Sequence, residues 1–332
     1  MNEPPLSFAN LLGHEGAKAL LQSAFARHKV GHAYLFRGPA GVGKKRSAFT
    51  MAKYIHCRRP IAKDVCNGCI ACKKVESDSH PDLMKVLPDG AFIKINQIRD
   101  LQPFLAFPPL ESDYRVIVLV DVHTMRHEAA NALLKTLEEP PPNTLLILTA
   151  DEATKLLPTI VSRCQVVPFH RLPDPLVVKL VLARAEITRE EALLLATVSD
   201  GSPGKALLLT TTELLSFRKE LTAIFMNSIQ GQPTTVEEVM NLARQAATFK
   251  ENLIELFYLL KIWIRDLMCL TLGMPASFLI NQDLLPALLS ARQGSKIEDL
   301  SRKFGLIEQA CAQLARNCDR ELVCEVLFFG LL

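Results

Sequence analysis

The stretch Gly38-Pro39-Ala40-Gly41-Val42-Gly43-Lys44-Lys45 has the residue types and spacing of a phosphate-binding loop with one position changed. In a G-x-x-x-x-G-K-[ST] loop the glycines let backbone N–H groups close around phosphate. The lysine reaches the outer phosphates, and the final hydroxyl holds magnesium. Gly38, Gly41, Gly43 and Lys44 are present, and Lys45 stands where the hydroxyl belongs. The pattern predicts a loop shaped for phosphate that has lost one ligand of its metal.

A second group of chemically capable residues follows it. Cys57, Cys66, Cys69 and Cys72 fall within sixteen residues, the last three separated by two-residue gaps. Four thiolates can surround one tetrahedral ion, and a knuckle eased by Gly68 is expected to aim neighbouring sulfurs at a common centre. With all four ligands thiolates, no position is left for water, so the expected ion is a structural zinc. An iron–sulfur cluster and a set of unliganded thiols are the rival readings; the Cys-Pro ending of bacterial ferredoxin runs is absent.

The whole chain sets limits on these sites. Its 332 residues are 49% hydrophobic and 22% charged, as expected for a soluble globular chain of two or three domains rather than a disordered one. The first ten residues read as lacking a signal peptide, and no apolar stretch is long enough to span a bilayer. Nine cysteines in that context predict a reducing, cytoplasmic setting, where grouped thiols bind metal more often than they pair. The net charge is only +3, yet ten cations lie between Arg37 and Lys74 against Asp64 alone. Such a block suits phosphate or an acidic partner, and equally a solvated face.

The elements that must position these residues alternate. The apolar run Ala33 to Phe36 leads into the loop, and Lys44 to Ile55 has helical spacing, which is the strand–loop–helix order that a P-loop requires. Strands are predicted at Asp82 to Leu87, Arg115 to Val120, Thr144 to Thr149 and Gln165 to Phe169. Helices are predicted at Asn96 to Ala106 and His127 to Glu138. This is the pattern of an α/β domain with a parallel sheet. Beyond His170 the signal is helical: Asp174 to Ala185, Thr188 to Val198 with the capping box Thr188-x-x-Glu191, and Lys205 to Leu209. From Glu213 to the end, breaks at Gly231 to Pro233, Gly273 to Pro275 and Gln293 to Ser295 divide five or six helices. Two apolar stripes, Leu253, Leu256, Phe257, Leu260 and Ile264, then Val323, Val326, Leu327 and Gly330 with Leu331, are read as packing faces.

Several landmarks carry a resemblance over nearly the whole chain. They are His32-Ala33-Tyr34-Leu35-Phe36, the four-cysteine insertion, His80-Pro81-Asp82, the run Asn131 to Pro140 (NALLKTLEEP), and Ser162-Arg163-Cys164. On these the chain resembles the delta prime subunits of the bacterial DNA polymerase III clamp loader, within the AAA+ family. The resemblance implies an AAA+ P-loop domain over 1–170 with the zinc insertion at 57–72, a small helical lid domain over 171–212, and an all-helical collar domain over 213–332 through which subunits oligomerise. In that family the gamma and tau subunits hydrolyse ATP, whereas delta prime commonly has a degraded site and is a fixed part of a five-subunit ring.

Individual positions bear on the choice. The resemblance implies a metal-arranging Asp followed by a water-polarising Glu after the third strand. Counting back from Asn131, Val120 takes the first position and Asp121 the second. Ala150 takes the place of a polar sensor residue and Gly204 that of a sensor arginine. Arg163 is intact, and the resemblance implies that it projects into a neighbour's ATP site. There, such an arginine is worth roughly three to five powers of ten in rate.

The expected function is a non-hydrolysing clamp-loader subunit, whose P-loop is empty or binds nucleotide weakly without magnesium. Its expected partners are gamma/tau and delta, with the sliding clamp and primer–template DNA reached through the complex, and no membrane. Two alternatives stand beside it: an active gamma/tau-like ATPase, and a zinc-dependent nucleic-acid-binding module whose footprint is the basic block.

Overall fold

Five strands, all parallel, build the sheet that carries the P-loop: β1 (Ala33–Arg37), β2 (Leu83–Val86), β3 (Arg115–Leu119), β4 (Thr144–Ala150) and β5 (Gln165–Pro168), in the order β2-β3-β4-β1-β5. The register sets Leu35 beside Leu148 and Ile117 beside Leu146. β3 and β4 are buried at every residue, which is why they read as continuous apolar runs rather than alternating ones. The computed structural model describes residues 4–26, 30–151, 156–229 and 234–332.

The two faces of the sheet are covered by different helices. In order these are α1 (Glu15–Ala26), α2 (Lys44–His56), α3 (Ile70–Glu76), α4 (Ile95–Arg99), α5 (Leu101–Leu105), α6 (His127–Glu138), α7 (Pro158–Val161) and α8 (Asp174–Leu182). Successive side chains of a strand point to opposite faces. Accordingly Ile117, Leu119, Leu146 and Leu148 pack with Ile98, Leu101, Leu133 and Leu137, while Val116, Val118, Leu145 and Ile147 pack with Leu21, Ala48 and Met51.

The predicted strands and the helix His127 to Glu138 are observed within a residue or two of their expected ends. The predicted helix Asn96 to Ala106 is instead two short helices meeting at Asp100. Pro103 has no N–H to give the carbonyl of Arg99, so the helix breaks ahead of it. Helix α1 was not among the predicted elements, although Ala17, Leu21 and Phe25 recur at four-residue intervals and face the core.

The chain divides into two compact units, Met1–Arg184 with Gly201–Lys205, and Ala185–Asp200 with Ala206–Leu332. The second has no strand among its described residues. Its helices are α9 (Arg189–Val198), most of α10 (Pro203–Thr211), α11 (Leu214–Ile229), α12 (Val236–Ala247), α13 (Leu253–Thr271), α14 (Leu285–Arg292), α15 (Ile297–Ala315) and α16 (Arg320–Leu331). Thr188 caps α9, its hydroxyl accepting from the Glu191 N–H at 3.2 Å while Glu191 reaches back. The predicted breaks at 273–275 and 293–295 are observed, and that at Gly231 to Pro233 lies outside the described residues.

The stripe Leu253, Leu256, Phe257, Leu260 and Ile264 is buried along α13. The stripe on α16 needs one correction: Val323, Leu327 and Leu331 face inward, but Val326 is 57% exposed. A buried polar network also orders this unit. Arg218 donates to Asn281 and Asp283, and Asp266 accepts from the N–H groups of Ile280 and Asn281. Among the described residues no helix is long and apolar enough to cross a membrane.

Candidate nucleotide cleft and four-cysteine site

The carboxyl ends of β1, β3 and β4 lie side by side, where open parallel sheets place their ligand crevices. The loop after β1 is the predicted P-loop. Gly38 must be glycine because a Cβ there would lie 2.1 Å from the Phe169 carbonyl oxygen. Gly43 has φ 106°, a left-handed conformation that a side chain would strain, and it caps the first turn of α2. Gly41, at φ 73°, meets residues 202–204: Gly204 N–H donates to the Gly41 carbonyl at 2.9 Å, and Ser202 Oγ donates to that of Ala40 at 2.9 Å.

Lys44 is 5% exposed, and its ammonium donates to the carbonyls of Gly38 at 2.7 Å and Pro39 at 2.6 Å and to Asp151 Oδ1 at 2.9 Å. Lys45 is exposed on the rim of the same cleft, an opening of about 820 Å³ whose walls include Phe49, Asp121, His123 and Asp151. Asp121 follows β3 in a left-handed conformation, φ 55°, with its N–H held by the fully buried Thr149 hydroxyl at 2.9 Å. Val120 points the other way, 2% exposed within the apolar layer. Thus the position where the resemblance implies a metal-arranging carboxylate carries a core side chain. Ala150 is fully buried at the end of β4.

Gly204 sits hard against the P-loop. A Cβ at Gly204 would lie 2.9 Å from Gly41 Cα and 3.0 Å from its carbonyl oxygen, so no sensor arginine fits this arrangement. Arg163, after α7, is partly exposed and pairs with Glu138 at the end of α6, Nη2 to Oε1 2.7 Å.

All four cysteines of the insertion converge: their sulfurs lie within 4.8 Å of one another, with Cys66 and Cys72 3.9 Å apart. Four sulfurs at tetrahedral zinc, with Zn–S near 2.3 Å, stand about 3.8 Å apart, so the set fits such an ion. Backbone N–H groups of Cys66, Cys69 and Cys72 point at the sulfurs of Cys57, Cys66 and Cys69, which suits thiolates. N–H donation from Gly68 and Cys69 holds the Cys66 thiol down at about 6, whereas burial pushes those of Cys57 and Cys72 up. The left-handed residue of the knuckle is Asn67, φ 54°, and not Gly68, whose Cβ position is unhindered; asparagine tolerates this conformation.

The insertion is latched to the P-loop helix by Lys53, fully buried in α2, whose ammonium meets Asn67 Oδ1 and Glu76 Oε1. This also revises the basic block. Lys44, Lys53, Arg58 and Lys74 are each paired with a carboxylate, the last two with Glu111, so four of the ten cations share three carboxylates. Sequence reading missed Asp151 and His123. Neither lies in a recognisable spacing, and only the sheet order brings them to Lys44.

Fold and cleft together define an α/β protein whose P-loop sits at the carboxyl edge of a five-stranded parallel sheet. Residues 13–173 match the family model described as DNA polymerase III, delta subunit. Over 181 residues the chain is 38% identical to DNA polymerase III subunit delta' of Bacillus subtilis, covering 54% of each chain. It is 40% identical over 149 residues to that of Pseudomonas aeruginosa, covering 44% of this chain and 45% of the relative. It is also 36% identical over 211 residues to DNA polymerase III subunit tau of Bacillus subtilis, covering 62% of this chain and 37% of the relative. The chain thus resembles subunits of DNA polymerase III, delta prime and tau among them. The matched stretches span only about a third to a half of these relatives' lengths. Among solved structures, a DNA polymerase III gamma subunit-related protein of Thermotoga maritima covers 96% of this chain and 98% of its own, with TM-score 0.44 and 18% identity.

Proposed function

We propose that this chain is a clamp-loader subunit of the delta prime kind, which helps load the sliding clamp onto primed DNA without hydrolysing ATP at its own P-loop. The carrying observation is that both metal-handling positions of the cleft are changed: Lys45 replaces the hydroxyl, and Val120, where a carboxylate would arrange magnesium, is a core residue. Gly204 against Gly41 adds to it, since the sensor arginine has no room. In this reading Gly38, Gly41, Gly43, Lys44, Lys45 and Asp121 are the remains of a nucleotide site. Cys57, Cys66, Cys69 and Cys72 hold a structural zinc that stiffens the insertion. Arg163 acts in trans at the ATP site of a neighbouring subunit, where a guanidinium offsets charge growing on the transferred phosphoryl group.

The same reading assigns 1–170 as the AAA+ domain, 171–212 as a lid and 213–332 as the collar, with gamma/tau and delta as partners in the cytoplasm. The test is reconstitution with gamma or tau and delta. ATPase stimulated by clamp and DNA should depend on Arg163, and an unchanged rate with Arg163→Ala would remove the trans role.

A second reading, an active ATPase, is favoured by the intact Lys44 and by the match to tau. ADP formation by the purified chain alone, abolished by Lys44→Ala, would establish it. The nucleic-acid module is the weaker alternative, because the paired cations of the basic block leave less charge for a phosphate backbone.

A further inference from the structure

Residues 4–11 form no helix or strand, yet they are one wall of the P-loop cleft: Pro4, Pro5 and Leu6 line it together with Lys44, Lys45 and Asp121. Arg46, which follows those lysines on α2, donates to the carbonyls of Pro4 and Pro5. A segment without helix or sheet bonds keeps its place only through contacts of this kind.

Its other hold comes from the four-cysteine insertion. Asp64 lies two residues before Cys66, and its carboxylate accepts from three backbone N–H groups: Oδ1 from Phe8 at 2.8 Å and Val65 at 2.7 Å, Oδ2 from Ala9 at 2.9 Å. Hydrogen bonds to a carboxylate are about twice as strong as neutral ones. The turn that presents this carboxylate has Ala62 and Lys63 at φ 49° and 63°, left-handed conformations that neither residue favours, and is closed by reciprocal backbone bonds between Ile61 and Asp64 at 2.9 and 2.8 Å. Such a turn persists only where its surroundings hold it. Gln22 of α1 does part of this, donating to the Lys63 carbonyl at 3.0 Å.

Apolar contact joins the same two parts. The Tyr54 ring meets that of Phe8 edge-on, centroids 5.5 Å apart, and packs against the cluster of Cys57, Val65 and Cys72. Val75 and Glu76, at the end of the helix that carries Cys72, line the cleft as well.

We propose that Asp64 is a positioning residue, through which the metal-holding insertion fixes residues 4–9 as a wall of the P-loop cleft. The inference rests on the reading of the four cysteines as a zinc site and gives that zinc a task beyond the insertion itself. It does not depend on whether the cleft turns over ATP. Packing of Phe8 in the core anchors one side chain, whereas the carboxylate orients the main chain around it. The ligands at Cys57 and Cys66 hold the two ends of the segment that contains the turn, and the turn aims Asp64.

The experiment is hydrogen exchange of the full chain, followed at the amides of Phe8 and Ala9, with those of β3 as the internal standard for global opening. Asp64→Ala keeps all four cysteines and should retain its zinc by elemental analysis, while Phe8 and Ala9 exchange at least roughly tenfold faster and β3 is unchanged. Asp64→Asn, which keeps one acceptor oxygen, should fall between the two, and it serves as the deciding variant if Asp64→Ala loses metal. Chelating zinc from the unaltered chain should also speed the same two amides at least roughly tenfold. Unchanged exchange at Phe8 and Ala9 in a zinc-loaded variant would overturn the role of Asp64. Unchanged exchange there after chelation, with the amides of 57–72 freed, would overturn the link to the metal. Acceleration that spreads equally to β3 would also count against the proposal, because the carboxylate would then only support the fold. A chain that purifies without metal refutes the zinc reading by itself, and the Asp64 variants then decide the role of the carboxylate alone.

Discussion

Arg163 is held by its own chain: Nη2 lies 2.7 Å from Glu138 Oε1, and Nη1 donates to the Thr159 carbonyl at 3.0 Å. The pair is partly exposed on both sides, 34% and 48%, so it contributes at most about 1 kcal/mol to stability. That is a modest contact to exchange for the neighbour's phosphate of the proposed trans role. The bond to Thr159 meanwhile fixes the root of the side chain near its helix.

Arg163→Ala should therefore leave the fold intact, with a melting shift of a few degrees at most. If the proposed trans role holds, turnover in the reconstituted complex should fall by roughly a thousandfold. Glu138→Gln, which frees the guanidinium, should preserve that turnover. Steady-state ADP release with clamp and primed DNA checks both, and a loss in the Glu138 variant equal to that of Arg163→Ala would mean that the ion pair, not the free guanidinium, is what matters.

The four sulfurs of the insertion should carry one zinc per purified chain and no iron, measured by elemental analysis. Cys72, fully buried, is the most telling ligand to remove. Cys72→Ser should lose the metal and destabilise the chain by more than about 2 kcal/mol, because a metal ligand and a packed side chain go together. A variant that keeps full zinc and full stability would show that three thiolates suffice or that the ion sits elsewhere.

Much of this was legible because local chemistry dictated it. The P-loop glycines answer to backbone conformation and to the close approach of Phe169, both of which the spacing of Gly38 and Gly43 encodes. The cysteine spacing likewise allows little except convergence. What stayed hidden depends on the order of strands. Asp151 follows β4 and Asp121 follows β3, and nothing local says that β4 lies between β1 and β3. The direction of Val326 was missed for a related reason: a period of three to four marks an apolar stripe, but not which part of it the neighbouring helices cover.

Asp82 offers a test by pH. Fully buried after His80, it pays for its desolvation by accepting from the N–H groups of Leu110, Glu111 and Ser112, which hold its carboxyl below the ordinary value of 3.8. Because the folded value is the lower one, its contribution is fully present above the unfolded value and is lost as pH falls through the folded one. Asp82→Asn should cost about 2 to 3 kcal/mol at pH 7. Its stability should also fall less steeply than that of the unaltered chain below about pH 4. Chemical denaturation at pH 7 and across pH 2 to 5 measures both, and parallel acid limbs would show that Asp82 is not the titrating group.

The last helix carries the remaining prediction. On α16, Leu322, Val326 and Phe329 are 58%, 57% and 47% exposed, at spacings of four and three that put them on one face, while Val323, Leu327 and Leu331 are buried on the other. The inner set suffices to hold the helix in its own unit, so the outer set is surplus to folding and suited to a partner helix of the proposed collar. Val326→Asp with Phe329→Ser should then leave the melting temperature within a few degrees of the unaltered chain, because exposed positions contribute within about 0.5 kcal/mol each. The same double variant should fail to co-elute with gamma or tau and delta, since a charge and a hydroxyl would be buried without partners in a helix–helix contact. Gel filtration of the mixed subunits decides it: full assembly by the double variant would move the subunit contact off this face of α16.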